Sequence, residues 1–406
     1  MLKDKILSNS KIIQCLADLF FPRSKYLVIA ITGLNIGHLV QEFIIASSIC
    51  GRDKKTMVII PPFNQCNSEV IKCNIDDLKI IRNGIRVTIL KSFLYFLSIL
   101  FKLRNILFAI ARKILRNNYK ILLHRPDTVC IGFEGINTFR KVIGSNFYWD
   151  HDLMRDKPKI SLNHRQESST DKKLKTIGLD KKDWYICLHI REGNYAGASP
   201  FRDVSIKNYI PLINYVSSIG GKVIKMGDKS MEKTPIIDGL IDYATSSVKD
   251  ELTDLILINK CKLFLGTNSG LGMVGYLLDK DVINVNFHEF VGAFFGNSKA
   301  TLFKNFYLKS KKEKLEINSF ISSEHYKNYF YGLKNDLILH ENTSGQILDL
   351  VKRYFNNEKL IDNNYNDNLT KIRKSVHQEF LDKEKNSDMM SDYLKGTINC
   401  KTNVGN

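Results

Sequence analysis

Between Trp184 and Phe287 short apolar runs alternate regularly with amphipathic segments, and this alternation constrains the fold more than any other feature of the chain. "WYICLHI", "KVIKMG", "CKLFLG" and "DVINVNF" have the length and branched-residue content of buried strands. Between them, "SIKNYIPLINYVSSIG", "KDELTDLILINK" and "GLGMVGYLLD" carry helical patterns, and "TSGQILDLVKRYF" supplies a closing helix. Strands that alternate with helices pair in parallel, because a helical crossover returns the chain to the same end of the sheet. An α/β unit with a parallel sheet is therefore predicted over residues 161–360.

A second unit of this kind is predicted over residues 1–160. "KYLVIAI" (Lys25 to Ile31) is a strand, "TGLNIGH" a glycine-containing turn, "LVQEFIIASSI" a helix and "TMVIIPPF" a second strand. In open parallel sheets ligands bind beyond the carboxyl ends of the strands, which places Thr32 to His38 at such an end. "DTVCIGFEG" is a further strand candidate, and the polar stretch from "MRDKPKISLNHRQESS" onward, without hydrophobic periodicity, marks a boundary near residue 160. A chain of 406 residues is long enough for two cores of roughly 150–200 residues each. Residues 361–406 are Asn- and Lys-rich and form a polar appendix.

Composition removes several function classes. Hydrophobic residues make up 44% and charged residues 25%, as in globular proteins. The net charge of +18 invites a nucleic-acid reading, but no helix-turn-helix, zinc-finger or RNP pattern accompanies it, and no nucleic-acid partner is expected. The eight cysteines are scattered without C-x-x-C spacing and sit mostly in apolar runs, which fits reduced buried thiols and a cytoplasmic setting. The N-terminus lacks the apolar core and cleavage site of a signal peptide.

From Ile85 to Leu123 the sequence is rich in Leu, Ile and Phe but interrupted by Lys91, Lys102, Arg104, Arg112, Lys113 and Arg116. Its longest charge-free part falls well short of the roughly 20 residues needed to span a bilayer. Two readings fit: a basic amphipathic helix lying on an anionic membrane surface, or core helices with solvated lysines.

Two motifs carry chemistry. In "LHIREGN", His189 and Arg191 share one face of a strand at its carboxyl end, where a guanidinium suits phosphate oxygens and Gly193 allows close backbone approach. Arg191 could alternatively pair with a carboxylate such as Glu192 or Asp228. In "FLGTNSGLGMVGYLL" a strand ends and Thr267, Asn268, Ser269 and Gly270 lead into a helix, whose free N–H groups form an anion site. Ordinary capping is the simpler alternative. Gly270, Gly272 and Gly275 also spell G-x-G-x-x-G with Glu289 downstream, a dinucleotide fingerprint that would make the protein NAD(P)-dependent. Against this, "TNS" intervenes after a strand that comes late in its domain. "WDHDLM" places Asp150 and Asp152 at metal-binding spacing, with no clear strand before them, and no metal is expected.

Over Trp184 to Phe287, about a quarter of the chain, these ordered motifs together with "FRDVSIKNYIPLINYVSSIGGKVIKMGD" resemble a family of bacterial glycosyltransferases of surface-polysaccharide loci, itself distantly similar to O-fucosyltransferases. "IGHL" (Ile36 to Leu39) is similar to the family's N-terminal motif. The resemblance implies a GT-B-like arrangement: two Rossmann-like domains facing across a cleft, the second binding a nucleotide-sugar donor. By similarity Arg191 would hold the donor's diphosphate and Thr267, Asn268 and Ser269 would bind it at the helix start. His189, Arg202 and Asp228 would line the same pocket. Asp203 and Val204 depart from the smaller or amide residues that relatives carry after the arginine. The implied reaction moves a sugar to a hydroxyl of a surface glycan or lipid-linked acceptor, with the nucleotide sugar as co-substrate and no further cofactor. His38 is the candidate base that would accept the hydroxyl proton. A non-catalytic glycan- or nucleotide-binding subunit of the same fold is the alternative outside enzyme chemistry.

Overall fold

The computed structural model describes residues 20–21, 25–30, 36–60, 68–93, 96, 157–192, 202–267, 269–288, 298–316 and 337–360. The predicted strand at 127–135, the acidic pair Asp150 and Asp152, and the tail 361–406 lie outside them. The chain divides into two compact units, Met1–Glu167 and Ser168–Asn406.

In the first unit β1 (Tyr26–Ala30) pairs in parallel with β2 (Thr56–Ile60) through the crossover helix α1 (Ile36–Asp53), as the sequence pattern requires. β2 pairs in turn with β4 (Ile80–Ile81), and β3 (Asn74–Ile75) pairs antiparallel with β5 (Ile160–Ser161). Leu39, Val40, Phe43 and Ile44 of α1 are buried, an apolar stripe at helical spacing. A helical stretch begins at residue 85.

The polar stretch after residue 160, which shows no hydrophobic periodicity, contains α2 (His164–Ser168) and α3 (Thr170–Thr176). Polar contacts hold these helices: Gln166 is 1% exposed and bonds Asn163 and Glu69, while the Lys173 ammonium pairs with Asp250. Hydrophobic periodicity is blind to segments anchored this way.

The second unit is built on a six-stranded, all-parallel sheet in the order β11–β10–β9–β6–β7–β8. In chain order its elements are β6 (Tyr185–His189), α4 (Ile210–Ser218), β7 (Lys222–Met226), β8 (Leu240–Asp242), α5 (Glu251–Lys260), β9 (Leu263–Gly266), α6 (Gly270–Leu277), β10 (Val282–Phe287) and β11 (Ser298–Phe303). An antiparallel sheet of β12 (Asn305–Leu308), β13 (Glu313–Leu315) and β14 (Leu337–His340) follows, then α7 (Ser344–Phe355). Every residue of β6, β9 and β10 is buried, the mark of central parallel strands covered on both faces.

Pleating sorts the side chains of β6. Ile186, Leu188 and Ile190 join Leu212, Ile213 and Val216 of α4 and Ile347, Leu350 and Val351 of α7 in one core cluster. On the other face the Tyr185 hydroxyl and the Cys187 thiol donate to the Leu257 carbonyl of α5, so His189 points to the α5 side. Burying each such aliphatic side chain stabilises by about 1.5–3 kcal/mol. The four cysteines among the described residues, Cys50, Cys73, Cys187 and Cys261, are buried thiols outside any disulfide.

The sheet's order fixes where it opens. From β6 the chain winds outward through β7 and β8, then returns to the other side of β6 with β9 and continues through β10 and β11. Open parallel sheets hold their ligand crevice at such a reversal, here beyond the carboxyl ends of β6 and β9.

Gly275 has a packing role in the helix that starts at this reversal. A Cβ there would lie 2.8 Å from Val282 Cγ2, so the absent side chain lets α6 seat on β10. Gly275→Ala is expected to lower stability by about 1–3 kcal/mol in urea denaturation; a variant as stable as the parent would contradict this seating.

Candidate functional site

The two sequence motifs meet at the reversal. His189 is in register with Gly266, and the Thr267 N–H donates to the His189 carbonyl at 3.1 Å, so the last residue of β6 and the first after β9 are bonded neighbours. From there Ser269 in extended conformation opens into α6, whose first residue is Gly270. The Ser269 side chain makes no capping bond, so ordinary capping does not explain it. The motif residues Gly193 and Asn268 lie outside the described residues.

Polar atoms collect here without partners. Among the described residues His189 Nδ1, Thr267 Oγ1 and Ser269 Oγ are buried and accept or donate no hydrogen bond, with His189 6% and Thr267 2% exposed. A buried polar atom left unpaired costs about 1–3 kcal/mol, and three around one helix start constitute a site that a hydrogen-bonding ligand would complete.

Cations surround this point, most of them held by carboxylates. Arg191 Nε lies 3.4 Å from Asp203 Oδ1, and the Arg191 carbonyl accepts from the Val204 N–H at 2.9 Å. Arg191 thus has a carboxylate partner in Asp203. Glu192 turns instead to Lys225, a lysine in β7 with no exposed surface, whose Nζ lies 3.2 Å away and also donates to Thr234 Oγ1 and the Glu232 carbonyl. Lys249 pairs with Asp254 at 2.7 Å. Lys304, 2% exposed, donates to the Asp203 carbonyl at 3.0 Å and so ties the loop holding Arg202 and Asp203 to the end of β11.

The field of these cations is felt by His189. Burial first, then Arg202, Lys249 and Arg191, push its pKa down to about 3. His189 is therefore an uncharged hydrogen-bonding group at neutral pH rather than a further cation.

Asp228 follows β7 on the exposed rim, where its Oδ1 accepts from the Ser230 N–H at 2.9 Å. His38 is the third residue of α1, in the first unit. Among the described residues no group of three or more His, Cys, Asp or Glu side chains is placed to hold a metal ion. Packing accounts for one glycine of the fingerprint, Gly275, which admits Val282, whereas a Cβ on Gly272 would meet nothing closer than Phe264 at 3.7 Å.

Sequence reasoning did not find Lys225, Lys249 or Lys304. A signal existed for two of them: Lys225 interrupts the apolar strand "KVIKM", and Lys304 the run "TLFKNFYL". A charge inside a buried run needs a partner, and such residues mark polar networks.

No protein-family model matches the chain, and no curated protein sequence matches it. Among solved structures it is similar to a glycosyl transferase family 9 protein from Veillonella parvula, with a TM-score of 0.43 and 12% identity over 82% of this chain and 98% of that one. It is also similar to the E. coli ADP-heptose lipopolysaccharide heptosyltransferase II, with a TM-score of 0.36 and 12% identity over 64% of this chain and 84% of that one. A third likeness is the iron-containing dodecameric glycosyltransferase TibC of enterotoxigenic E. coli, at a TM-score of 0.35 and 11% identity over 67% of this chain and 64% of that one. All three likenesses are distant.

The neutral state of His189 has a measurable consequence. Its folded pKa lies near 3, below the ordinary 6.5, so between these values the unfolded chain binds a proton that the folded chain refuses. The stability due to the neutral ring is complete above about pH 6.5 and is lost as pH falls toward 3. The stability gap between the parent and His189→Gln should therefore shrink by on the order of 2 kcal/mol between about pH 7.5 and about pH 4.5 in urea denaturation. A gap independent of pH would contradict this assignment.

Proposed function

We propose that the protein is a glycosyltransferase of GT-B-like design that transfers a sugar from a nucleotide-diphosphate donor to a hydroxyl of a surface glycan or lipid-linked acceptor. In this reading residues 161–360 bind the donor and residues 1–160 serve the acceptor. The observation that carries the proposal is the meeting of the H-x-R motif and the T-N-S turn at the reversal of one parallel sheet, with unpartnered buried polar atoms and fixed cations around a helix start. The resemblance of these same motifs to bacterial glycosyltransferases supports the choice of reaction.

Breaking the bond between sugar and diphosphate leaves negative charge on the leaving group. Arg191 and Arg202, with the N–H groups at the start of α6, meet that charge in fixed positions, and preorganisation of this kind lowers a barrier by several kcal/mol. Thr267, Asn268, Ser269 and Gly270 bind phosphate oxygens, Gly193 gives the diphosphate room to approach the backbone, and neutral His189 contributes a hydrogen bond. Asp228, on the rim beyond β7, contacts the outer part of the donor. His38 accepts the acceptor proton. The nucleotide sugar is the only co-substrate in this scheme, with no metal required.

Calorimetric titration with GDP, UDP, CDP, dTDP, CMP and NAD tests this reading. One nucleoside diphosphate should bind saturably, and Arg191→Ala should weaken it at least about tenfold, the equivalent of losing one charge-assisted hydrogen bond. Binding of NAD alone would replace the proposal with a dinucleotide-dependent enzyme. Diphosphate binding without turnover of any nucleotide sugar would leave a binding subunit.

A further inference from the structure

The first unit carries an apolar surface that its own core does not use. Of the six large hydrophobic side chains that stand exposed among the described residues, three belong to the helical stretch beginning at residue 85: Ile85 at 78%, Ile89 at 46% and Phe96 at 57%. Ile85 and Ile89, four residues apart, fall within about 40° of arc on one side of the helix, and Phe96 stands exposed beyond them. Val87 and Leu90, 3% and 1% exposed, occupy the opposite side and pack inward. The helix is apolar on two faces, and a single exposed isoleucine needs no explanation whereas an aligned set does.

Charge identifies what the outer face meets. From Leu78 through Pro126 the sequence contains eleven lysines and arginines and no aspartate or glutamate. Within the described part, Arg86 stands exposed beside the stripe. A second copy of this face would bring like charges together, so self-association is disfavoured. A surface of anionic headgroups over acyl chains complements both properties at once, with each nearby cation contributing about 1 kcal/mol. Lys91 and Lys102 bracket too short a charge-free run for a membrane span, which needs roughly 20 residues.

We propose that the Ile85, Ile89 and Phe96 face docks on a membrane surface carrying anionic lipid, the three side chains entering the boundary between headgroups and acyl chains while neighbouring cations contact the headgroups. Docking of this kind concerns the first unit alone and stands or falls separately from donor binding by the second.

Flotation of the full chain with vesicles tests it. The protein should float with phosphatidylcholine vesicles containing phosphatidylglycerol and not with phosphatidylcholine alone. Ile85→Ser/Ile89→Ser/Phe96→Ser, all at exposed positions, should partition at least about tenfold more weakly, with nucleotide binding and unfolding temperature unchanged. A conservative reporter, Phe96→Trp, should shift its emission to the blue on anionic vesicles. Equal flotation of parent and triple variant, an unshifted spectrum, or a dimer in solution that the triple substitution dissolves would each overturn the proposal, the last by making a second copy the occupant.

Discussion

The pairing of β6 with β9 is the contact on which the site depends. These strands are separated in sequence by α4, β7, β8 and α5, yet they lie side by side, and the Thr267 N–H reaches the His189 carbonyl. Their adjacency creates the reversal in strand order, and the reversal creates the crevice. It also brings a histidine, an arginine and a helix start within one small volume, which no local segment of the chain could do. The apolar continuity of "YICLH", "LFLG" and "VINVNF" makes that order stable, since each strand is buried on both faces.

Around the crevice the fold spends carboxylates to fix cations. Arg191 is set by Asp203, Lys225 by Glu192 and Lys249 by Asp254, while Lys304 holds the loop that bears Asp203. Burial raises the Asp254 carboxyl above its usual range even beside Lys249, a measure of how dry the surroundings are. Ion pairs in such places contribute little net stability, because desolvation offsets their attraction. Their effect is geometric: positive charge stands ready before a ligand arrives, without reorganisation on binding. The neutral ring of His189 follows from its burial first and then from Arg202, Lys249 and Arg191, which disfavour a further positive charge there.

Much of this architecture was legible in the sequence because it rests on apolar periodicity. The strands and helices from Tyr185 to Phe287 fall where the pattern puts them, apart from the short, half-buried β8, whose three residues carry no pattern. What escaped was polar or short. α2 and α3 are held by Gln166 and Lys173, and the antiparallel strands β12 to β14, of three or four residues each, are too short to show a period. At the site, the alternation of "LHIREGN" set His189 on one face, but no spacing rule could pair Arg191 with Asp203, twelve residues on. Lys225 and Lys304 were visible only as charges out of place in apolar runs, a cue that a partner exists without naming it.

The central claim is that anionic ligand binds where β6 and β9 end. Hydrogen–deuterium exchange of the backbone amides, with and without the nucleoside diphosphate that binds most tightly, addresses that location directly. The account predicts slowed exchange concentrated at residues 187–192 and 266–272, the end of β6 and the start of α6, with β8 and α7 little changed. Protection confined to other segments, with these two untouched, would contradict it.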